Sequence, residues 1–421
     1  MKKLLALLLC LLMVLPTMAM AEETTITLWT YPIGGWANDD TVQEIIANFN
    51  AVHPDIKVNV QYVDYQTGDD QVTTAIEAGT TPDIIFEGPG RLVALWGANG
   101  KMLDVSDLWT EETTADILAA GSNLKNLCTG VDGNTYIYPL CMTTHCMVID
   151  KAAFEKAGAL QYIDLETRTW TNEQFEKACE ALVNAGYSVP GVVYCGGQAG
   201  DQGTRALAYN LFNATFANPE HTLYTMDSAE GQKGLTQLQD WVNRGLLVAD
   251  PGIVAADAIA LFCNGTAQMS FCWNAALLET NKQTLAEGVE PFAMAFPSED
   301  GVPVLDGGVW GFGLFNNGDD AKVEAAKKFI KFVCDDPVQG PLSTYATGYF
   351  PTKGSFGDIF TGTEKESNAD YAVFNPYLGD IYDVTPNWPN QRTEWWNLLQ
   401  RIFAGGDVAT EVAVYSANVN K

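Results

Sequence analysis

Histidine is scarce in this chain: three in 421 residues, at His53, His145 and His221. No two of them stand at metal-ligand spacing, which argues against a histidine-rich metal centre. Basic residues are also few, 23 Lys and Arg against 52 Asp and Glu, for a net charge of −29. That balance excludes nucleic acid and anionic membranes as natural partners. No CxxC occurs, so neither a zinc ribbon nor a thioredoxin-like redox site is expected. There is no internal repeat, no low-complexity tract and no apolar run long enough to span a bilayer.

The one apolar run, Leu4–Leu15, follows Met1-Lys2-Lys3 and precedes Ala19-Met20-Ala21. This pattern predicts a secretory signal peptide, residues 1–21, cleaved after Ala21. Cleavage would remove 21 residues and two lysines, leaving 400 residues with a net charge of −31. Cys10 sits in the middle of the run, too early for a lipid-anchor cysteine. The product is expected to be exported and soluble, at the cell envelope. Eight further cysteines remain, several in apolar runs such as Cys146-Met147-Val148-Ile149. They read as mostly free core thiols, with Cys128/Cys141 and Cys263/Cys272 the pairs to check first.

Four hundred residues exceed a comfortable single core, so two lobes are expected. Thr25–Tyr31 alternates as a strand, Thr41–Asn50 carries a helical stripe, and Ile56–Val63 alternates again. A helix Gln71–Ala78 closed by Gly79 and a strand Ile84–Phe86 follow. Strand, helix, strand, helix, strand implies a parallel sheet with right-handed crossovers. Glu87-Gly88-Pro89-Gly90 stands directly after the third strand. Open α/β sheets bind ligands beyond the carboxyl ends of their strands, which makes Glu87 a candidate ligand contact.

Several segments together resemble one family. Phe49–Val58 is similar to its "F-x-x-x-x-P-x-I-x-V" piece, and Ala78-Gly79-Thr80-Thr81-Pro82-Asp83-Ile84-Ile85 to its "A-G-x-x-P-D-[IV]-[IV]". Lys151–Gly158, Thr169-Trp170-Thr171, Phe262–Trp273 and Gly307–Phe315 follow in the family's order. The chain thus resembles the extracellular solute-binding proteins of bacterial ABC importers, in the sugar-binding group that includes maltose-binding protein. The resemblance implies an α/β, two-lobed Venus-flytrap fold, each lobe a mostly parallel sheet flanked by helices, with the hinge crossed about three times. The expected division is residues 22–138 and 275–318 in one lobe, 139–274 and 319–421 in the other. Crossings are expected near Tyr138–Thr143, Trp273–Leu278 and Asn316–Ala321. It further implies capture of a mono- or oligosaccharide without catalysis or cofactor, by a monomer that hands it to a membrane permease.

Sugars present C–H faces and many hydroxyls, so rings, acids and amides near strand ends are the candidate contacts. Trp273 ends the matched "A-x-M" strand and is the leading aromatic candidate, with Asn274 beside it. Tyr31 follows the first strand, Trp36 follows Gly34-Gly35, and Asp64 lies near the end of the second. Asp306-Gly307-Gly308-Val309-Trp310 joins an acid, close-approach glycines and a ring. Tyr349 sits in a glycine turn, and Trp388 between two prolines. Two other functions stay open: a polyamine- or other cation-binding protein of an importer, and a carbohydrate-active hydrolase or lyase using Glu87 and Asp306. A cleft rich in acids would favour the cation; a cleft pairing acids with amides, Arg or Lys would favour the sugar.

Overall fold

The computed structural model describes residues 23–421 apart from 122, 198 and 380–383. The expected signal peptide and Cys10 lie outside the described residues. Strand β1 (Thr24–Thr30) buries Ile26, Leu28 and Thr30 on one face. The helix Asp39–Val52 returns the chain to β2 (Ile56–Tyr62), and the helix Gly68–Ala78 returns it to β3 (Ile84–Glu87). Both β2 and β3 pair with β1 in parallel, as such crossovers require. The first helix buries Val42, Ile45, Ile46 and Phe49, the stripe visible in the sequence.

The chain then runs to β4 (Tyr138–Thr144), which continues into β5 (Cys146–Asp150) with only His145 between them. Four more strands follow: β6 (Val192–Tyr194), β7 (Val248–Asp250), β8 (Met269–Trp273) and β9 (Pro291–Met294). The last two are β10 (Gly307–Leu314) and β11 (Phe350–Pro351). One sheet has the order β11-β4-β10-β3-β1-β2, a second β8-β5-β9, and β6 pairs with β7 in parallel. The lobes are therefore built on different sheets, and β4–β5 is a single path from one to the other.

One detail of the expected fold is corrected. The sheets are less parallel than anticipated: β10 pairs antiparallel with β3 and β4, β11 with β4, and β5 with β8 and β9. A strand that arrives from the other lobe needs no crossover helix, so nothing forces it to be parallel. For the lobe division, the sheets lead us to propose a different assignment. Residues 138–144 belong to the six-stranded sheet, β9 to the three-stranded one, and the helix Asp320–Asp335 packs on β1, β4 and β10. The passages between the sheets thus fall at His145, between β9 and β10, and after β11. Alternation reveals that a segment is buried but not which sheet buries it.

Among the described residues no helix is long and apolar enough to cross a membrane. Cys128, Cys141, Cys146, Cys179, Cys195, Cys263, Cys272 and Cys334 are buried free thiols, the two suggested pairs included.

Asp83, the acid of the Pro-Asp motif, is buried and joins three segments. Its carboxylate accepts from the Thr27 N–H at 2.8 Å and hydroxyl at 3.0 Å, and from the Asn317 amide at 2.9 Å. Asp83→Ala takes the carboxylate acceptor from the Thr27 N–H and is expected to cost about 2–3 kcal/mol. Urea denaturation measures it, and an unchanged midpoint would refute the role.

Candidate functional site

The parallel strands β1 and β3 end on the same side, where glycines let loops from both lobes approach. A cavity of about 340 Å³ lies there. His145, Asn274 and Asp306-Gly307-Gly308 line it. His145 and Asp306–Gly308 stand between β4 and β5 and at the start of β10, so two passages between the sheets form its floor, with Asn274 after β8 beside them.

One wall begins at Glu87. Ile84, Ile85 and Phe86 are completely buried, and Glu87 remains buried at the strand's end. Pro89–Arg91 is a helical turn that runs into a π-helical turn, Leu92–Gly97, and Arg91, four residues after Glu87, lies back over it. Arg91 Nε donates to Asp69 Oδ1 at 2.5 Å, and Nη1 to Glu87 Oε1 at 3.3 Å. The guanidinium lies 4.7 Å from the Tyr31 ring centroid and 5.3 Å from that of Tyr65, within cation–π range. Burial pushes the Glu87 carboxyl up to about 7, with Arg91 opposing it in part.

The same wall carries two stacked rings. Trp310 and Tyr349 lie 4.8 Å apart at 18°, and His145 meets Trp310 edge-on at 6.2 Å. Trp310 folds over Gly308, where a Cβ would fall 1.8 Å from the indole. Only glycine fits under that ring.

The opposite wall is the start of the helix Gln202–Asn210 together with Trp388 and Arg392. Buried Asp201 accepts from Arg205 Nη1, from Arg392 Nη2 at 2.6 Å and from Arg392 Nε at 3.1 Å. Burial alone would raise its pKa, but the two guanidiniums outweigh it and hold the carboxyl well below the usual range. Burial, reinforced by Arg205, pushes His145 down to about 4.

Of the residues singled out in the sequence, the cavity brings together Glu87, Asn274, Asp306, Gly307, Gly308, Trp310, Tyr349 and Trp388. Four lie elsewhere. Trp273 is fully buried, edge-on to Phe262, with Nε1 donating to the Tyr371 hydroxyl at 2.8 Å. Alternation along β8 explains this: Cys272 and Asn274 line the cavity, so Trp273 faces the other way. Tyr31 is buried behind Arg91 and donates to Asp69 at 2.7 Å. Trp36 packs between Phe86 and Phe312, with Nε1 on the Ser343 carbonyl. Asp64 is exposed and accepts from the Gln66 and Thr67 N–H groups at the start of the following helix. Sequence reasoning passed over Arg91, Asp201 and Arg205. The available signal was Asp201 and Arg205 four apart after a glycine-rich run, a spacing that puts both on one helix face.

The family model for bacterial extracellular solute-binding proteins matches residues 35–340. The chain belongs to that family. A solute-binding protein of an ABC transporter from Thermotoga lettingae TMO, solved with alpha-D-tagatose, superposes with a TM-score of 0.73 at 18% identity, covering 94% of this chain and 99% of that one. An ABC substrate-binding protein from Listeria monocytogenes, in complex with cycloalternan, gives 0.72 at 19% identity over 95% and 98%. The maltose-bound MalE3 of T. maritima gives 0.72 at 17% identity over 94% and 99%. These likenesses establish the two-lobed fold. An uncharacterized lipoprotein from the oleD 5' region of Streptomyces antibioticus is 26% identical over 153 residues, 36% of this chain and 32% of that protein. The chain thus covers about a third of that relative.

Two outcomes follow for this solute-binding protein. Trp273→Ala removes a ring from the core and is expected to cost about 3–5 kcal/mol of stability. Unchanged thermal unfolding would return the ring to the cleft. Glu87 carries a pH signature. Its folded pKa of about 7 exceeds the ordinary 4.5, so its stabilising proton is present in full below pH 4.5 and lost as pH rises through 7. His145 acts oppositely, since its folded value of about 4 lies below the ordinary 6.5. Comparison with Glu87→Gln isolates the carboxyl: the variant should gain stability relative to wild type between pH 4.5 and 7. A difference in urea midpoint that does not vary with pH would contradict this.

Proposed function

We propose that this chain captures a neutral carbohydrate between its lobes and delivers it to the membrane permease of an ABC importer. The carrying observation is the balance of the cavity wall. Glu87, Asp201 and Asp306 are matched by Arg91, Arg205 and Arg392, beside the stacked Trp310–Tyr349 pair. Hydroxyls both donate and accept, so a wall offering charged groups of both signs suits them. Stacked rings suit the apolar faces of a pyranose or furanose. The ligand-bound proteins of similar fold, holding tagatose, cycloalternan and maltose, favour the same reading. A polyamine site would want a surplus of carboxylates, and three arginines in the wall oppose it. The family is one of binding proteins, and Glu87 is held by Arg91, which disfavours a hydrolase or lyase. A cavity of about 340 Å³ stands at the small end of small-molecule sites, favouring a short saccharide. Export would follow removal of residues 1–21, and the protein would act as a monomer.

The test is thermal unfolding with tagatose, ribitol, maltose, longer maltooligosaccharides, putrescine and spermidine. A ligand present at a hundred times its Kd adds about 2.7 kcal/mol. Stabilisation by a polyamine alone would overturn the sugar. For the sugar that binds, Trp310→Ala is expected to weaken affinity by about 2–4 kcal/mol, the scale for a central aromatic anchor. Calorimetric titration of the folded variant checks it, and near-normal affinity would remove the ring pair from the site.

A further inference from the structure

We propose that Gly90 and Trp388 form the stop that sets how far the lobes close, and so limits the length of saccharide the cleft accepts; this rests on the carbohydrate reading. Gly90 lies in the turn Pro89–Arg91, in the lobe of the six-stranded sheet. Trp388 opens the helix Trp388–Phe403, whose Arg392 and Trp395 bind Asp201 and Thr204 of the other lobe. Both residues line the cavity. A Cβ added to Gly90 would stand 2.4 Å from Trp388 Nε1, 2.8 Å from Cδ1 and 2.9 Å from Cε2. Real Cβ atoms essentially never come nearer than 3.0 Å. Glycine therefore admits the ring at this spacing, and any larger residue would hold the lobes further apart.

The requirement is steric, not conformational. Gly90 is not among the glycines of positive φ, and it occupies a helical turn in which alanine is at home. Nor is the indole a loose tip that can swing aside. The guanidinium of Arg205 lies 4.8 Å from its ring and that of Arg392 5.7 Å, and Asp201 holds both arginines. Asn387, just before it, turns the chain into the helix with a φ of 64°. At Gly90 the indole of one wall meets the turn of the other. A saccharide longer than the cavity cannot leave past that point without parting the lobes. Gly90 is thus a positioning residue that acts through Trp388.

A double-mutant cycle tests this with Gly90→Ala, Trp388→Ala and the pair, each first shown folded by circular dichroism. The probe is maltose or tagatose, whichever binds wild type, read by calorimetry and by small-angle scattering at saturation. Gly90→Ala is expected to weaken binding roughly tenfold, the scale on which overpacking acts, and to leave the bound radius of gyration above that of wild type. In the Trp388→Ala background the same substitution should change affinity by less than about twofold, because its partner is gone, and leave the radius unchanged. Equal penalties in both backgrounds would overturn the stop. If no sugar of the thermal-unfolding panel binds wild type, the carbohydrate reading falls. The ligand-free radii then decide the stop alone: a larger radius for Gly90→Ala supports it, and equal radii overturn it.

Discussion

The burial of charge around one cavity constrains everything near it. Glu87, Arg91, Asp201 and Arg205 are almost wholly removed from solvent, and an ion taken out of water costs several kcal/mol unless its partners are well placed. The fold meets this by sharing. Asp201 serves two guanidiniums, and Arg91 spans two carboxylates. Removing one member of such a set costs more than any surface ion pair is worth, because it strands a buried charge. The local backbone suits that demand: the helical turn Pro89–Arg91 sets Arg91 four residues after Glu87, and the helix after Asp201 sets Arg205 one turn beyond it.

The same demand redistributes the aromatic residues. Tyr31, Tyr65 and Trp388 lie against guanidiniums, where their electron-rich faces offset lost hydration. In sequence such rings look like sugar platforms, because composition does not reveal what a ring faces. The stacked Trp310–Tyr349 pair is left as the ring surface best suited to a ligand. Its placement depends on Gly308, since only a residue without a side chain lets the indole fold back along its own strand.

Much of the fold was legible because the first β-α-β-α-β run repeats a simple period: Ile26 and Leu28 alternate, and Val42, Ile45, Ile46 and Phe49 form a stripe. Glu87 and Asp306–Trp310 were legible as site candidates because an acid or a glycine pair at a strand's end has few other uses. Trp273 was not, since its facing depends on the parity of β8, and parity is set by pairing with β5 far away in the chain. Arg91, Asp201 and Arg205 were hidden for a different reason. An arginine or aspartate in a helical turn is ordinarily a solvated surface residue, and only segments distant in the chain bury these: Tyr31, Tyr65 and Asp69 around Arg91, and Trp388 and Arg392 around Arg205 and Asp201. The lobe boundary was obscured in the same way, because β9 and β10 carry similar patterns yet join different sheets.

Placing the connections under the cavity has a mechanical consequence. His145 is the one residue between β4 and β5, and its backbone N–H donates to the Asp306 carbonyl at 2.8 Å. Two interlobe passages are therefore pinned together at the cavity floor. Gly307 and Gly308 follow at once, next to the pinned pair and free of the side chains that would resist rotation. A solute resting on this floor touches the residues about which the lobes would bend. In the proposed binding role, substitutions there would alter contact with the solute and the bending together. In that role this short stretch of backbone would couple contact with the solute to the bending of the lobes, flanked on both walls by the buried charges.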